Sequence, residues 1–343
     1  MDLVANCLTT GIGSVPWPDP ATAASNVLEY CDIPYWPQLF RRSPTESRPQ
    51  FFEDFPGLVT EGGSLRMDTA IFQSRLEAFY RRVLDFEERG TLQNFAVSEN
   101  YAAGLQYFLS LKEKLLSASA VKGQIIGPIS FGLSVPASDG RPMIYDPTMR
   151  EALVLNLQMK ARWQEGVLRQ LNPRTIMFID EASLDRIYNP FIGYDEEKSR
   201  QDLQAILGVL AGLKGVHCCT DTNWPFVLDI VDAVSFDAYN GAEGFLIHRA
   251  AVQRFVERGG IIAWGIVPAS EDVFKESAEA LAERLDSYFT ELSARGEEHA
   301  LLLRNSLITP VCGLGTGSAD AAMRSLHLTR DISDLLRLKH GLA

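Results

Sequence analysis

Short apolar runs alternate with longer amphipathic segments along most of the chain. The short runs predict buried strands, and apolar residues recurring at intervals of three and four predict helices that cover them. The predicted strands lie near residues 8–14, 93–99, 121–130, 174–181, 214–220, 233–237, 260–267 and 306–312. The predicted helices lie near residues 20–30, 68–90, 101–117, 147–171, 195–212, 242–258, 271–295 and 318–338.

The alternation of strands and helices favours an α/β fold with a parallel sheet. Eight such units in 343 residues predict a single (β/α)8 TIM barrel, with residues 1–343 as one catalytic domain. The alternative is an open doubly wound sheet. No G-x-G-x-x-G motif joins the first strand to a helix, so nothing supports the dinucleotide-binding form of that fold.

An aromatic, proline-punctuated segment, residues 32–42, follows the first strand. It contains too many large apolar residues for a solvated linker, so we predict a loop excursion packed over one end of the barrel. Arg41 and Arg42 follow Tyr35 and Trp36, which makes the same loop a candidate docking surface as well as a packed lid.

The charge and the cysteine count narrow the class of protein. The net charge is −12, whereas nucleic-acid-binding domains are typically basic. No run reaches the roughly 20 apolar residues that span a bilayer, and the N-terminus does not resemble a signal peptide. Five cysteines without a small-scaffold spacing predict free thiols in a reduced, cytoplasmic protein. Cys7 and Cys31 fit buried apolar positions best, and Cys218 has no assigned role.

Polar side chains fall at the predicted C-terminal ends of the strands, where TIM barrels carry their active sites. They are Ser14, Glu99, Ser130, Asp180, Glu181, His217, Cys219, Asp237 and Cys312. His217 and Cys219 are two residues apart on a strand, so their side chains point to the same face. Together with Cys312 they offer three soft ligands for zinc, and Asp237 offers a fourth, carboxylate ligand. An isolated His-x-Cys is more often core packing, so the prediction depends on this convergence.

A zinc site with a weak or displaceable fourth ligand can bind a substrate thiol and favour its thiolate form. Asp180 or Glu181, with Glu99, would then hold an α-ammonium group. Ser14 and the backbone of residues 11–14 would hold a carboxylate. These residues predict alkylation of an amino-acid thiol.

The same positions resemble the catalytic C-terminal half of cobalamin-independent methionine synthase, within the uroporphyrinogen-decarboxylase-like superfamily. The resemblance extends over nearly the whole chain and is carried by short motifs in the family's order. These are Thr10-Gly11-Ile12-Gly13-Ser14-Val15-Pro16, Ser98-Glu99, Gly127-Pro128-Ile129-Ser130, Ile179-Asp180-Glu181, His217-Cys218-Cys219, Asp232-Ala233-Val234-Ser235-Phe236-Asp237 and Cys312-Gly313-Leu314.

The resemblance implies a zinc-dependent methyltransferase that makes methionine from homocysteine. It implies homocysteine contacts from Gly13, Ser14, Glu99 and Asp180. It implies zinc ligation by His217, Cys219 and Cys312, with Asp237 at the position of the family's glutamate ligand.

Two departures from the family bear on the methyl donor. The family enzyme is built of two barrels, whereas this sequence predicts one. The family also has a histidine on the seventh strand that can protonate a folate leaving group, and residues 264–268 contain none. Expelling a folate nitrogen needs a proton, but expelling cob(I)alamin does not. We therefore expect a methylcorrinoid donor, either methylcobalamin or a corrinoid protein, that is not tightly bound.

Other functions remain open from the sequence. The acceptor can be another thiol, such as coenzyme M, or the donor can be methylfolate. Porphyrinogen decarboxylation is a further alternative, although that family lacks the His-x-Cys and the late cysteine. A non-enzymatic alternative is a zinc-containing, thiol-binding accessory protein.

Overall fold

The computed structural model describes residues 3–46, 49–90, 92–189, 191–293 and 296–342. The strands are β1 (Leu8–Thr9), β2 (Leu58–Glu61), β3 (Ser64–Met67), β4 (Val121–Ile126), β5 (Thr175–Asp180), β6 (Leu213–Cys218), β7 (Ala233–Asp237), β8 (Ile261–Val267) and β9 (Ser306–Pro310). The α-helices are α1 (Pro20–Tyr30), α2 (Thr69–Arg89), α3 (Glu99–Leu109), α4 (Lys112–Leu116), α5 (Pro128–Ser134), α6 (Pro147–Leu168), α7 (Glu196–Leu207), α8 (Trp224–Ile230), α9 (Ala242–Leu246), α10 (Arg249–Glu257), α11 (Ala278–Leu292), α12 (Gly296–Arg304) and α13 (Ala319–His340).

Seven strands form one parallel sheet in the order β1-β9-β8-β7-β6-β5-β4. The order follows the chain from β4 to β9 and then returns to β1, without the reversal that defines a doubly wound sheet. The sheet curls into a barrel with helices around it, so the predicted α/β TIM-barrel fold is confirmed. The open-sheet alternative is wrong.

The aromatic segment after β1 occupies the second strand position of the barrel, between β1 and β4. The Lys122 N–H donates to Pro34 O at 2.9 Å, and the Gln38 N–H donates to Gly13 O at 3.0 Å. Residues 33–38 thus make parallel bridges on both sides. Because a proline has no N–H, Pro34 and Pro37 interrupt the ladder, and isolated bridges replace a continuous strand.

This arrangement corrects two predictions. The predicted strand near 93–99 is a 3-10 helix at Leu92–Phe95, followed by α3, which begins at Glu99. Residues 33–38 already fill the gap in the sheet that this strand was expected to fill. Tyr35 and Trp36 are buried in the barrel wall and form no lid over its end. Arg41 and Arg42 are exposed, so a docking role for this loop stays a prediction.

Other differences lie in the connections. The antiparallel pair β2–β3 was not predicted, and the predicted strand 121–130 ends at Ile126, before α5 begins. The predicted helices 101–117 and 242–258 are each divided in two. Helices α1 and α2 match their predictions, and α2 ends where Gly90 adopts a left-handed conformation with φ of 69°. Among the described residues, no helix is long and apolar enough to cross a membrane.

The barrel interior changes from apolar to polar along the strands. An apolar layer contains Ile176, Phe178, Ala233, Ala263 and Leu307. Inward-facing residues alternate along each strand, so Asp180 on β5 and Ser235 on β7 face inward one step closer to the C-terminal ends. His217 on β6 lies beside both of them in the strand register. The apolar layer therefore supports a polar group at the end of the barrel where such folds carry their sites.

Candidate metal centre and active site

His217, Cys219 and Cys312 converge at the C-terminal end of the barrel. One nitrogen of His217 and the two sulfur atoms all lie within 4.8 Å of one another. His217 lies on β6, Cys219 follows that strand directly, and Cys312 follows β9. The structure thus brings together the three soft ligands predicted from the sequence, although Cys312 is far from the other two along the chain.

The His217 ring is oriented by the neighbouring strand. Its Nδ1 lies 3.0 Å from Ser235 Oγ, and its Nε2 is buried without a hydrogen-bond partner. A buried polar atom normally has a partner, and the second nitrogen of a metal-binding histidine is usually held by a hydrogen bond. The unpartnered Nε2 beside two thiols therefore fits a zinc ligand. Sequence reasoning missed Ser235, because the partner of His217 depends on the register between β6 and β7.

The two thiols lie close enough to share a proton. A hydrogen bond from Cys219 holds the pKa of the Cys312 thiol well below its usual range, and contact with His217 acts in the same direction. Cys218 has the opposite environment, because burial raises its pKa to about 11 and its Sγ donates to Thr220 O at 3.3 Å. Because side chains alternate along the strand, Cys219 faces the candidate metal centre and Cys218 faces the core.

Asp180 adjoins His217 in the parallel register of β5 and β6. Its Oδ1 is buried and has no hydrogen-bond partner. Burial raises the pKa of this carboxyl to about 6, while His217 and Lys122 act to lower it. An unpartnered carboxylate oxygen beside the candidate metal centre can accept hydrogen bonds from a ligand, such as those of an ammonium group.

Lys122 is a buried cation inside the barrel that sequence reasoning did not select. Its Nζ donates to Ile12 O at 2.6 Å and lies 3.4 Å from Gln124 Oε1. Burial lowers the pKa of Lys122 to about 8, and the charge of Asp180 opposes that shift. A lysine at the second residue of a strand gives no sequence signal of its interior position until the inward face of β4 is known.

Ser14 and Gly13 lie where the first strand meets the loop after Cys312. The Leu314 N–H donates to Ser14 O at 2.8 Å, and the Gly315 N–H lies 3.3 Å from Ser14 Oγ. A Cβ on Gly13 would crowd the side chains of Gln38 and Gln124. This close packing brings the predicted carboxylate-binding turn next to the loop that carries Cys312.

The sequence offered Glu181 as an alternative to Asp180, but its hydrogen bonds give it a role in the fold. Its carboxylate accepts hydrogen bonds from the backbone N–H groups of Ile129 and Ser130 and from Ser130 Oγ, at 2.9, 2.8 and 2.6 Å. Burial raises its pKa to about 7, and these three hydrogen bonds oppose the shift. Glu181 therefore ties the end of β5 to the first turn of α5.

Asp237 and Glu99 are not part of the group formed by His217, Cys219 and Cys312. Asp237 accepts hydrogen bonds from the Asn240 N–H at 2.8 Å and from Asn240 Nδ2 at 2.7 Å, so its two oxygens are occupied by a turn. It does line a small cleft together with Cys219. Glu99 is exposed and lines a separate cleft with Glu53 and other residues.

Comparisons with known proteins identify similar folds. No protein-family model matches the sequence, and no curated protein matches it. A methyltransferase from Methanosarcina mazei is similar over 96% of this chain and 94% of that chain, with a TM-score of 0.59 and 12% identity. A B12-independent methionine synthase from Shewanella sp. W3-18-1, in complex with selenomethionine, is similar over 68% of this chain and 67% of that chain, with a TM-score of 0.50 and 13% identity. At these identities the likeness concerns architecture, and the chain has the barrel fold that these two methyltransferases have.

Proposed function

We propose that this protein is a zinc-dependent methyltransferase that makes methionine from homocysteine and a methylated corrinoid. The observation that carries the proposal is the convergence of His217, Cys219 and Cys312 within 4.8 Å at the C-terminal end of the barrel. The unpartnered Nε2 of His217 and the unpartnered Oδ1 of Asp180 support it. The likeness of the fold to two methyltransferases is consistent with this class of reaction.

His217, Cys219 and Cys312 would hold the zinc, with Asp237 as a further candidate ligand. Zinc in this position would lower the pKa of a substrate thiol, so that the sulfur is present as a thiolate at neutral pH. Ser235 would keep the imidazole of His217 turned toward the metal.

The protein's other residues would position homocysteine. Asp180 would accept hydrogen bonds from the ammonium group through its free Oδ1, and Glu99 remains a proposed second contact. Gly13 and Ser14 would hold the carboxylate next to the loop of Cys312. The sulfur would attack the methyl carbon in line, forming the S–C bond as the Co–C bond breaks and cob(I)alamin leaves with the electron pair. Positioning supplies much of the rate in a transfer of this kind.

The proposal of a corrinoid donor rests on the absence of a proton donor on β8. Ile261–Val267 contains no titratable side chain, and the strand is buried along its length. A folate leaving group needs protonation, whereas cob(I)alamin does not. Methylcobalamin or the methylcorrinoid of a partner protein therefore fits better than methylfolate.

The test is anaerobic incubation of zinc-loaded protein with methylcobalamin and homocysteine, with methionine as the readout. Cys312→Ser should lose zinc and activity, because it removes one of three ligands. Cys218→Ser is the matched control and should keep both, because its thiol points to the other face of the strand from His217 and donates to Thr220 O.

Zinc-loaded protein that makes no methionine would contradict this pair of substrates. Coenzyme M as acceptor and methylfolate as donor would then be tested with the same two variants. Zinc that remains bound after thiol addition and whose removal unfolds the protein would instead favour the non-enzymatic, structural alternative.

A further inference from the structure

A second group of metal-binding side chains lies on the outer helices, outside the site described above. Asp286 on α11, His299 on α12 and His340 on α13 place their ligand atoms within 4.8 Å of one another. His299 lies on α12, the helix directly before β9. His340 lies in the last turn of α13, the helix that follows β9. Both therefore lie toward the opposite end of the barrel from Cys312, which follows β9.

The Nε2 atoms of both imidazoles face the same oxygen of the Asp286 carboxylate. His340 Nε2 lies 2.8 Å from Asp286 Oδ1, and His299 Nε2 lies 3.6 Å from it. The ring centroids of the two histidines are 5.3 Å apart. When no ion is bound, each ring can donate a neutral Nε2–H to this oxygen. A divalent ion lets both imidazoles bind in their neutral form, with the carboxylate as the third ligand.

The surroundings fix the ligands in this arrangement. Lys339 Nζ donates to the other carboxylate oxygen, Asp286 Oδ2, at 2.8 Å, which leaves Oδ1 for the two imidazoles. The buried ring of Phe289 packs edge-on against His299, with 6.0 Å between centroids. The side chains of Asp286, His299 and His340 keep 17%, 23% and 18% of their accessible surface, so an ion can enter from solvent.

We propose that Asp286, His299 and His340 form a second binding site for a divalent transition-metal ion of the zinc class. Two imidazoles and one carboxylate provide three protein ligands, and water completes the coordination at the partly exposed side. A metal at this position links three helices and attaches the last turn of α13 to the barrel. Its effect is therefore expected on the stability of the C-terminal helix, independently of methyl transfer.

The experiment uses the full chain carrying Cys219→Ser and Cys312→Ser, which removes the thiol ligands of the first site. Zinc binding is measured by calorimetry, and cobalt is used as a spectroscopic substitute. We expect close to one ion per chain and a cobalt spectrum without thiolate charge-transfer bands. Adding His299→Ala or His340→Ala should weaken binding at least tenfold. His327→Ala, on the same helix α13 but outside the group, should not change the affinity.

Thermal unfolding gives a second readout, which detects zinc through its effect on the stability of the fold. Zinc should raise the unfolding midpoint of the double cysteine variant, and His340→Ala should abolish the rise, since an ion stabilises only the form it binds. Absence of zinc binding in the double cysteine variant would overturn the proposal, provided that its circular dichroism matches wild type. Binding that is unchanged by both His299→Ala and His340→Ala would overturn it as well. Neither outcome bears on the first site, whose thiol ligands are absent from the protein tested.

Discussion

His217 Nδ1 lies 3.0 Å from Ser235 Oγ, and this contact links two neighbouring strands of the barrel. The two residues are direct partners in the parallel register of β6 and β7. The contact occupies one ring nitrogen and leaves Nε2, which is buried without a partner, beside Cys219 and Cys312. Orientation of the imidazole by a neighbouring hydroxyl is therefore part of the candidate metal centre.

Ser235→Ala should weaken zinc affinity by about 10- to 100-fold, the usual cost of losing a contact that orients a metal ligand. The affinity is measured by competition with a chromophoric chelator. Ser333→Ala is the matched control, because that buried serine donates to Cys7 O on another part of the barrel. Equal zinc affinity in Ser235→Ala and wild type would show that the hydroxyl does not orient the ring.

Asp180→Asn should raise the KM for homocysteine about 10- to 100-fold and leave the zinc content unchanged. The amide keeps the size of the carboxylate but loses the charge that strengthens hydrogen bonds to an ammonium group. Steady-state kinetics on zinc-quantified protein measure the effect. Glu99→Gln should raise KM less, because that side chain is exposed and lines another cleft. An unchanged KM in Asp180→Asn would argue against an amino-acid acceptor and for one without an ammonium group, such as coenzyme M.

Lys122→Met should stabilise the protein at neutral pH. Burial lowers the pKa of Lys122 to about 8 in the folded state, so folding favours the neutral amine. The cost of burying the charged lysine is complete below pH 8. It decreases as the pH rises and is absent above the unfolded pKa near 10.4. A shift of this size corresponds to about 3 kcal/mol, less about 1 kcal/mol for the hydrogen bond to Ile12 O.

Urea unfolding of wild type and Lys122→Met at pH 7 and pH 10 measures this difference. The variant should be more stable by about 2 kcal/mol at pH 7, and the gap should shrink by pH 10. Comparing the two proteins cancels the groups that they share. Lys112→Met replaces an exposed lysine and should have no such pH-dependent effect. A gap that stays constant with pH would mean that Lys122 is charged throughout this range in the folded protein.

Gly104→Ala should destabilise the protein by about 1–3 kcal/mol, the usual cost of overpacking. A Cβ at this position of α3 would overlap Pro37 O, in the segment that fills the second strand position. Gly166→Ala is the matched control on α6, where a Cβ would meet no neighbouring atom. That exposed helical position should gain about 1 kcal/mol from higher helix propensity. Chemical unfolding measures both, and a neutral Gly104→Ala would mean that residues 33–38 can move away without cost.

The sequence by itself determined the class of fold and the candidate metal ligands. Apolar runs separated by amphipathic helices favour a parallel sheet covered by helices, and a two-residue spacing on a strand places His217 and Cys219 on one side. Both inferences depend on local periodicity, which the chain carries in its residues. Asp68, which caps the start of α2, and Gly90, whose left-handed conformation ends that helix, are local features in the same sense.

Only the tertiary structure decided which segment completes the barrel. Residues 93–99 have a strand-like composition, but residues 33–38 make the backbone hydrogen bonds to both edges of the sheet. Their prolines lower the strand propensity of this segment, so no propensity argument would select it. Which segment takes a position in a sheet depends on neighbours that are distant in sequence. The same reason explains Ser235 beside His217, the interior position of Lys122 and the three-helix group around Asp286. Each is a contact created by register and packing, and no local pattern encodes it.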